Sequence, residues 1–171
     1  MRKILFFTAL ALAAAALAPV AALADDPVAT VQADIAKLVS DVQTKHDTVV
    51  ADAATLESDA NGFVGTTDKK AARLKIRLDA LKLTGDWKSL RAVCLGDRAK
   101  LRADLKAAHL QGVHEQQLRP LVHQANVQIR VTNLEMRAAV LKARLAVLKM
   151  RASFNAANQA APAVPTPPAN P

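Results

Sequence analysis

Apolar residues recur at three- and four-residue intervals over most of this chain, and that spacing predicts long amphipathic α-helices. In the first predicted helix Val28, Val31, Ile35, Leu38, Val42, Val49, Ala53, Leu56 and Ala60 share one stripe, with His46 filling its single gap. Asp25 and Asp26 ahead of Pro27 offer an acidic cap followed by proline at the first helical position, and Asn61-Gly62 ends the pattern. Caps at Thr66, Thr67 and Asp68 introduce a second stripe of Ala71, Leu74, Leu78 and Leu81. Gly85 interrupts it, Asp86 can cap a continuation, and Trp87, Leu90, Cys94, Leu101, Leu105 and Ala108 carry it on to Gly112. Pattern alone leaves open whether Gly85 reverses the chain or merely bends it.

The third helix has the most regular pattern. Val127, Val131, Leu134, Ala138, Leu141, Leu145, Leu148 and Ala152 alternate four and three without a miss. With Val127 at d, they form a coiled-coil type seam of about four heptads. Arg130, Arg137, Arg144 and Arg151 repeat at g, while Glu135, Lys142 and Lys149 occupy e. The opposite arc is apolar too: Ile129, Met136, Val140, Ala143, Val147, Met150 and Phe154. A helix apolar on two sides takes two sets of partners. If the seam packs into the bundle, the candidate interaction surface is Arg130, Met136, Arg137, Val140, Arg144, Val147, Met150, Arg151 and Phe154. The alternative is that this helix is central, sandwiched between the other two. The expected fold is all-α, an antiparallel bundle of three long helices with coiled-coil-like packing, the middle helix interrupted near Gly85 and so capable of making four.

Composition agrees with helices packed through Ala, Leu and Val: aromatics make up 3% of the chain, Tyr is absent and Gly totals 5. Three segments are expected. Residues 1–24 read as a signal peptide, with Arg2 and Lys3 before an uncharged run from Ile4 to Ala18 and the small-x-small cleavage pattern at Ala22 and Ala24. An uncleaved N-terminal anchor is the alternative. Residues 25–158 form the bundle domain, and 159–171 an extended Pro/Ala-rich tail with prolines at 162, 165, 167, 168 and 171. Export would place the protein in the periplasm or outside the cell.

Charge is divided unevenly. Residues 25–63 hold eight acids against Lys37 and Lys45, whereas residues 64–171 hold 19 basic and seven acidic residues. An acidic first helix beside basic companions fits a single bundle, although each exposed ion pair adds only a few tenths of a kcal/mol. The basic excess also fits an anionic envelope surface: lipid headgroups, lipopolysaccharide or wall polymer. Nucleic acid is not expected, because export separates the two and aromatic side chains for base stacking are scarce.

No catalytic constellation, cofactor motif or metal-ligand cluster emerges. His109 and His114 are five apart, not the four that places two ligands on one helical face. The single cysteine, Cys94, lies on an apolar stripe and is expected to be buried rather than bridged to another molecule. In organisation the chain is similar to small basic periplasmic holdase chaperones. Their Spy family carries Leu-Thr-x-x-Gln, against Leu83-Thr84-Gly85-Asp86-Trp87 here, where Trp replaces Gln, so no functional residues are carried over. Two functional readings follow. One is a non-enzymatic binding protein that holds protein partners in apolar grooves with basic rims, in the manner of a holdase. The other is a structural coiled-coil component that self-associates as a homo-oligomer or rests on an anionic surface.

Overall fold

A computed structural model describes residues 26–159, so the expected signal peptide and Pro-rich tail lie outside the described residues. Helix α1 spans Pro27–Gly62, a short 3-10 turn follows at Phe63–Gly65, and α2 (Lys69–Leu110) and α3 (Glu115–Gln159) complete an up-down-up bundle. Lengths of 36, 42 and 45 residues give rods of roughly 55–65 Å. Among the described residues there is no strand.

Each helix start has a chemical cause. Asp26 accepts the Val28 N–H at 2.9 Å and Pro27 fills the first turn, where its missing N–H costs nothing. Asp68 accepts from Lys70 and Ala71 at 3.0 and 2.9 Å to open α2. At the far end of α2, Gly112 adopts φ 87°. The Val113 N–H then reaches the Ala108 carbonyl, and the Gly112 N–H reaches that of His109. This pair of bonds is a Schellman closure, which needs a residue free of the Cβ penalty at the left-handed position. Gly85 and Gly96 both lie inside α2, which runs through them unbroken. The expected interruption near Gly85 is therefore corrected: among the described residues there are three long α-helices, not four. One glycine costs up to ~1 kcal/mol in a helix interior, which the packing of a 42-residue helix outweighs.

The central element is α1, not α3. It packs along its length against both neighbours, while the backbones of α2 and α3 hardly approach each other. Its buried stripe is Val31, Asp34, Leu38, Val42, Lys45, Val49, Ala53, Leu56 and Ala60. The slot expected for His46 belongs to Lys45. The stripe repeats every 11 residues (Val31, Val42, Ala53; Leu38, Val49, Ala60), close to the natural pitch of a straight helix.

Against this stripe α3 presents Ala125, Ile129, Thr132, Met136, Ala143, Ala146 and Met150. The two faces of α3 are thus exchanged relative to expectation. Its heptad seam points outward, with Val127, Val131, Leu134, Leu141, Leu145 and Leu148 between 48 and 63% exposed. On α2 the buried positions are Ile76, Leu83, Cys94, Leu101 and Ala108, while Leu74, Leu78 and Leu81 are more than half exposed. The reason is spatial. Ala125, Ala143 and Ala146 let α3 approach α1 closely, Ile129, Met136 and Met150 fill the spaces between them, and the a/d residues of α3 are left outward.

The exchange of faces has a direct measurement. Met136 is fully buried, and Met136→Ala is expected to lower unfolding stability by about 2–5 kcal/mol in chemical denaturation. Leu141→Ala, on the outward seam, is expected to change it by less than about 0.5 kcal/mol. The reverse ranking would return the leucine seam to the interior.

Candidate functional site

Three features of the bundle surface differ in kind: a ladder of carboxylates along α1 and α2, the outward seams, and a groove between α2 and α3.

In the ladder, Asp34, Asp41, Asp52 and Asp59 on α1 step by 7, 11 and 7 residues, and Asp79, Asp86, Asp97 and Asp104 on antiparallel α2 mirror those steps. The carboxyls face each other in pairs, Asp41 with Asp97, Asp59 with Asp79, Asp52 with Asp86 and Asp34 with Asp104, within hydrogen-bonding reach. One lysine serves each pair. Lys37 binds Asp41 and Asp97, Lys82 binds Asp52 and Asp86, and Lys100 binds Asp34 and Asp104. Lys75 binds Asp59 at 2.7 Å beside Asp79. The ammonium group occupies the place a bound cation would take, and one lysine per pair neutralises half of the ladder's carboxylate charge. It fixes the α1–α2 register, and among the described residues no cluster of three or more His, Cys, Asp or Glu side chains is placed to hold a metal.

The lysines hold Asp41, Asp59 and Asp86 below the usual carboxylate range, and Asp104 is lowered first by its bond with Asp34 and then by Lys100. Asp79 is the exception: burial, followed by the facing Asp59, pushes it up.

The second feature is the pair of outward apolar stripes. The seam of α3 runs from Val127 to Leu148, flanked on one side by the arginine rib at g and on the other by Glu135, Lys142 and Lys149 at e. Of the nine candidate interaction residues, Met136 and Met150 lie in the core, and Val140, Val147 and Phe154 are half-buried at its margin. Arg130, Arg137, Arg144 and Arg151 remain exposed. Phe154 packs edge-on against Phe63, ring centres 6.3 Å apart, and the Arg73 guanidinium stacks on it at 3.4 Å. The structure thus keeps the four arginines together on the surface and assigns the apolar members to the bundle interior.

The third feature is the groove left because α2 and α3 stand apart. At one end a hollow of about 540 Å³ is lined by Arg73, Arg77 and Arg151 with Ile76, Met150 and Phe154. Near the middle a cleft of about 510 Å³ is lined by Arg91, Arg98, Arg130 and Arg137 with Lys45 and Trp87. Every ion pair among the described residues uses Lys or His, and none uses an arginine. Sequence reading found the g-position arginines but not this groove: Arg77, Arg91 and Arg98 of α2 also share a heptad position, but that they face α3 across a gap is set by the packing of both helices on α1. Cys94 is buried, and burial raises its thiol pKa, which leaves it a poor nucleophile.

These observations define an up-down-up three-helix bundle with unpartnered apolar and basic faces. Comparison with known proteins adds nothing to that class: no family model, no curated protein and no solved structure matches this chain. No helix among the described residues is long and apolar enough to cross a membrane.

The ladder yields a pH test. Because folding raises the Asp79 pKa above its ordinary 3.8, the folded state holds that proton longer than the unfolded chain does. The carboxylate therefore becomes a net cost as pH rises through that window. Asp79→Asn is expected to raise the thermal midpoint at pH 7, with the gain vanishing once the pH falls below 3.8. Lys75→Met is expected to act in the opposite direction at pH 7, since it leaves Asp59 and Asp79 facing each other unneutralised.

Proposed function

We propose that this chain is an exported, non-enzymatic interaction protein of the cell envelope that binds polypeptide partners, holdase-like, along the outward seam of α3. The observation that carries this reading is the seam itself. Six large apolar side chains in unbroken heptad register stand about half to two thirds in water on a single helix. Contiguous exposure of this kind marks an interaction surface rather than ordinary surface leucines. Export rests on the N-terminal pattern ending at Ala22-Leu23-Ala24.

The rims argue about which partner fits. In a parallel pairing of two α3 seams, Arg130 would meet the other copy's Glu135 favourably. Arg137 would meet Lys142 and Arg144 would meet Lys149, both like-charged. An antiparallel pairing brings arginine rib against arginine rib. Self-association through this seam is therefore disfavoured relative to a partner whose flanks are acidic. The structural reading, a self-associating coiled coil or a protein resting on an anionic surface, keeps the basic ribs but needs another face for oligomerisation.

The test is aggregation of a chemically unfolded client, followed by light scattering at near-equimolar protein. Suppression is expected, and Leu134→Gln/Leu141→Gln/Leu148→Gln is expected to lose more than half of it with no loss of thermal stability. Suppression that survives in the triple variant, or is absent for several clients, would refute the reading. Sedimentation should show a monomer, and a concentration-independent oligomer would favour the structural alternative.

A further inference from the structure

The bundle core is not continuous. One apolar cluster contains Val49, Leu56, Phe63, Leu83, Met136 and Met150, and the other contains Val31, Leu38, Val42, Leu101, Leu118 and Ile129. The break between them falls at Lys45. This side chain is 6% exposed, and among the described residues it makes no ion pair and no hydrogen bond. Its one favourable contact is the face of Trp87, with Nζ 4.6 Å from the ring centre. The stem is buried, while Nζ is not fully enclosed and opens on the central cleft. An ammonium partly desolvated without an anion carries a cost that an apolar residue of the same length would not.

The surroundings worsen the cost. Lys45 lines the central cleft together with Arg91 and Arg98 from α2 and Arg130 and Arg137 from α3. None of these arginines has a carboxylate partner among the described residues. The nearby acids are engaged elsewhere: Asp41 and Asp97 hold Lys37, while Glu135 faces His46 at 3.3 Å. Burial, and then Arg91, Arg98 and Arg137, lower the Lys45 pKa, whereas no carboxylate contributes. Five cationic side chains from three helices thus converge on one cleft with an aromatic wall and no counter-charge.

We infer that the cleft bounded by Lys45, Arg91, Arg98, Arg130 and Arg137 is a binding site for a compact polyanion bearing phosphoryl groups. Guanidinium groups donate pairs of parallel N–H bonds to phosphoryl oxygens, and a lysine acts as a point charge at the floor. The bound anion would supply the counter-charge that the protein lacks and close the break in the core. Carboxylate ligands fit less well, since four arginines offer more donors than one carboxylate can accept. The same chemistry is presented by free polyphosphate and by anionic lipid headgroups, and the experiment separates them. This inference needs no polypeptide, although the cleft shares Arg130, Leu134 and Arg137 with the α3 seam and its arginine rib.

Trp87, the one tryptophan of the chain, lines the cleft and reports on it. Titration with inorganic tripolyphosphate is expected to change its fluorescence saturably, to raise the thermal midpoint, and to weaken with added salt. Vesicles of phosphatidylglycerol in phosphatidylcholine form the second arm. A response to vesicles alone would assign the site to lipid headgroups, and a response to tripolyphosphate would assign it to free anions. Arg91→Gln/Arg137→Gln, which alters only exposed side chains, is expected to weaken binding by about tenfold or more. Lys45→Met is expected to weaken binding while raising the thermal midpoint of the unliganded protein. Arg119→Gln, outside the cleft, is expected to leave binding unchanged. No response in either arm, or equal binding by the double variant, would overturn the inference.

Discussion

Burial of α1 on two sides sets everything else in this bundle. A helix flanked along its length by two others buries a broad stripe, and α1 does so mostly with valine and alanine, Val31, Val42, Val49, Ala53 and Ala60, with Leu38 and Leu56 between them. Its neighbours respond in kind. The residues α3 turns toward α1 include Ala125, Ala143 and Ala146, and α2 ends its stripe on Ala108. On α3 the alanines allow close approach while Ile129, Met136 and Met150 fill the spaces between them, and the a/d leucines of that helix turn outward. The exposed seam is thus a consequence of how α1 is held.

The same geometry sorts the charges. Helix α1 is acidic, and its carboxylates meet those of α2 along one edge, where like charges at hydrogen-bonding distance require a cation between them. Lysine suits this task because a flexible stem brings a compact charge to the midpoint of two carboxyls. Arginine, planar and broad, is used on the other side, where α2 and α3 stand apart. The acidic edge is closed, its carboxylate repulsion eased by one lysine per pair; the basic groove is open. Net positive charge is therefore concentrated on the side of the molecule that still has room for a ligand.

Much of this was legible in the residues. Three helices, their caps at Asp26 and Asp68, the turn at Gly112, the burial of Cys94 and the pairing of acidic α1 with its companions all followed from spacing and residue chemistry. The facing of α3 did not. Its a/d positions are bulkier and more hydrophobic than its f and b positions, so any ranking by hydrophobicity alone puts the leucines inside. Only the identity of the neighbour, a doubly buried α1, makes alanine and methionine the better fit. Gly85 misled for a related reason: local propensity was outweighed by apolar contact on either side of it. Lys45 was invisible because Lys45 and His46 both stand three or four residues from Val42 and Val49, so spacing admits either, and an imidazole is the less costly residue to place on an apolar stripe.

That exchange of one polar residue for another leaves an unpaired cation at the break in the core. An 11-residue repeat places Asp34, Lys45 and Leu56 at equivalent depths on α1. Asp34 has Lys100 to offset its burial, and Leu56 needs nothing. Lys45 alone has neither an anion nor an apolar end group, only the π-face of Trp87, worth about 0.5–2 kcal/mol. A polar layer with incomplete compensation is where stability has been traded for something else. In this bundle the missing counter-charge lies in the direction of the open groove, ringed by arginines that also have none. Stability and binding therefore meet at one side chain: whatever anion enters the cleft completes the core as it is bound.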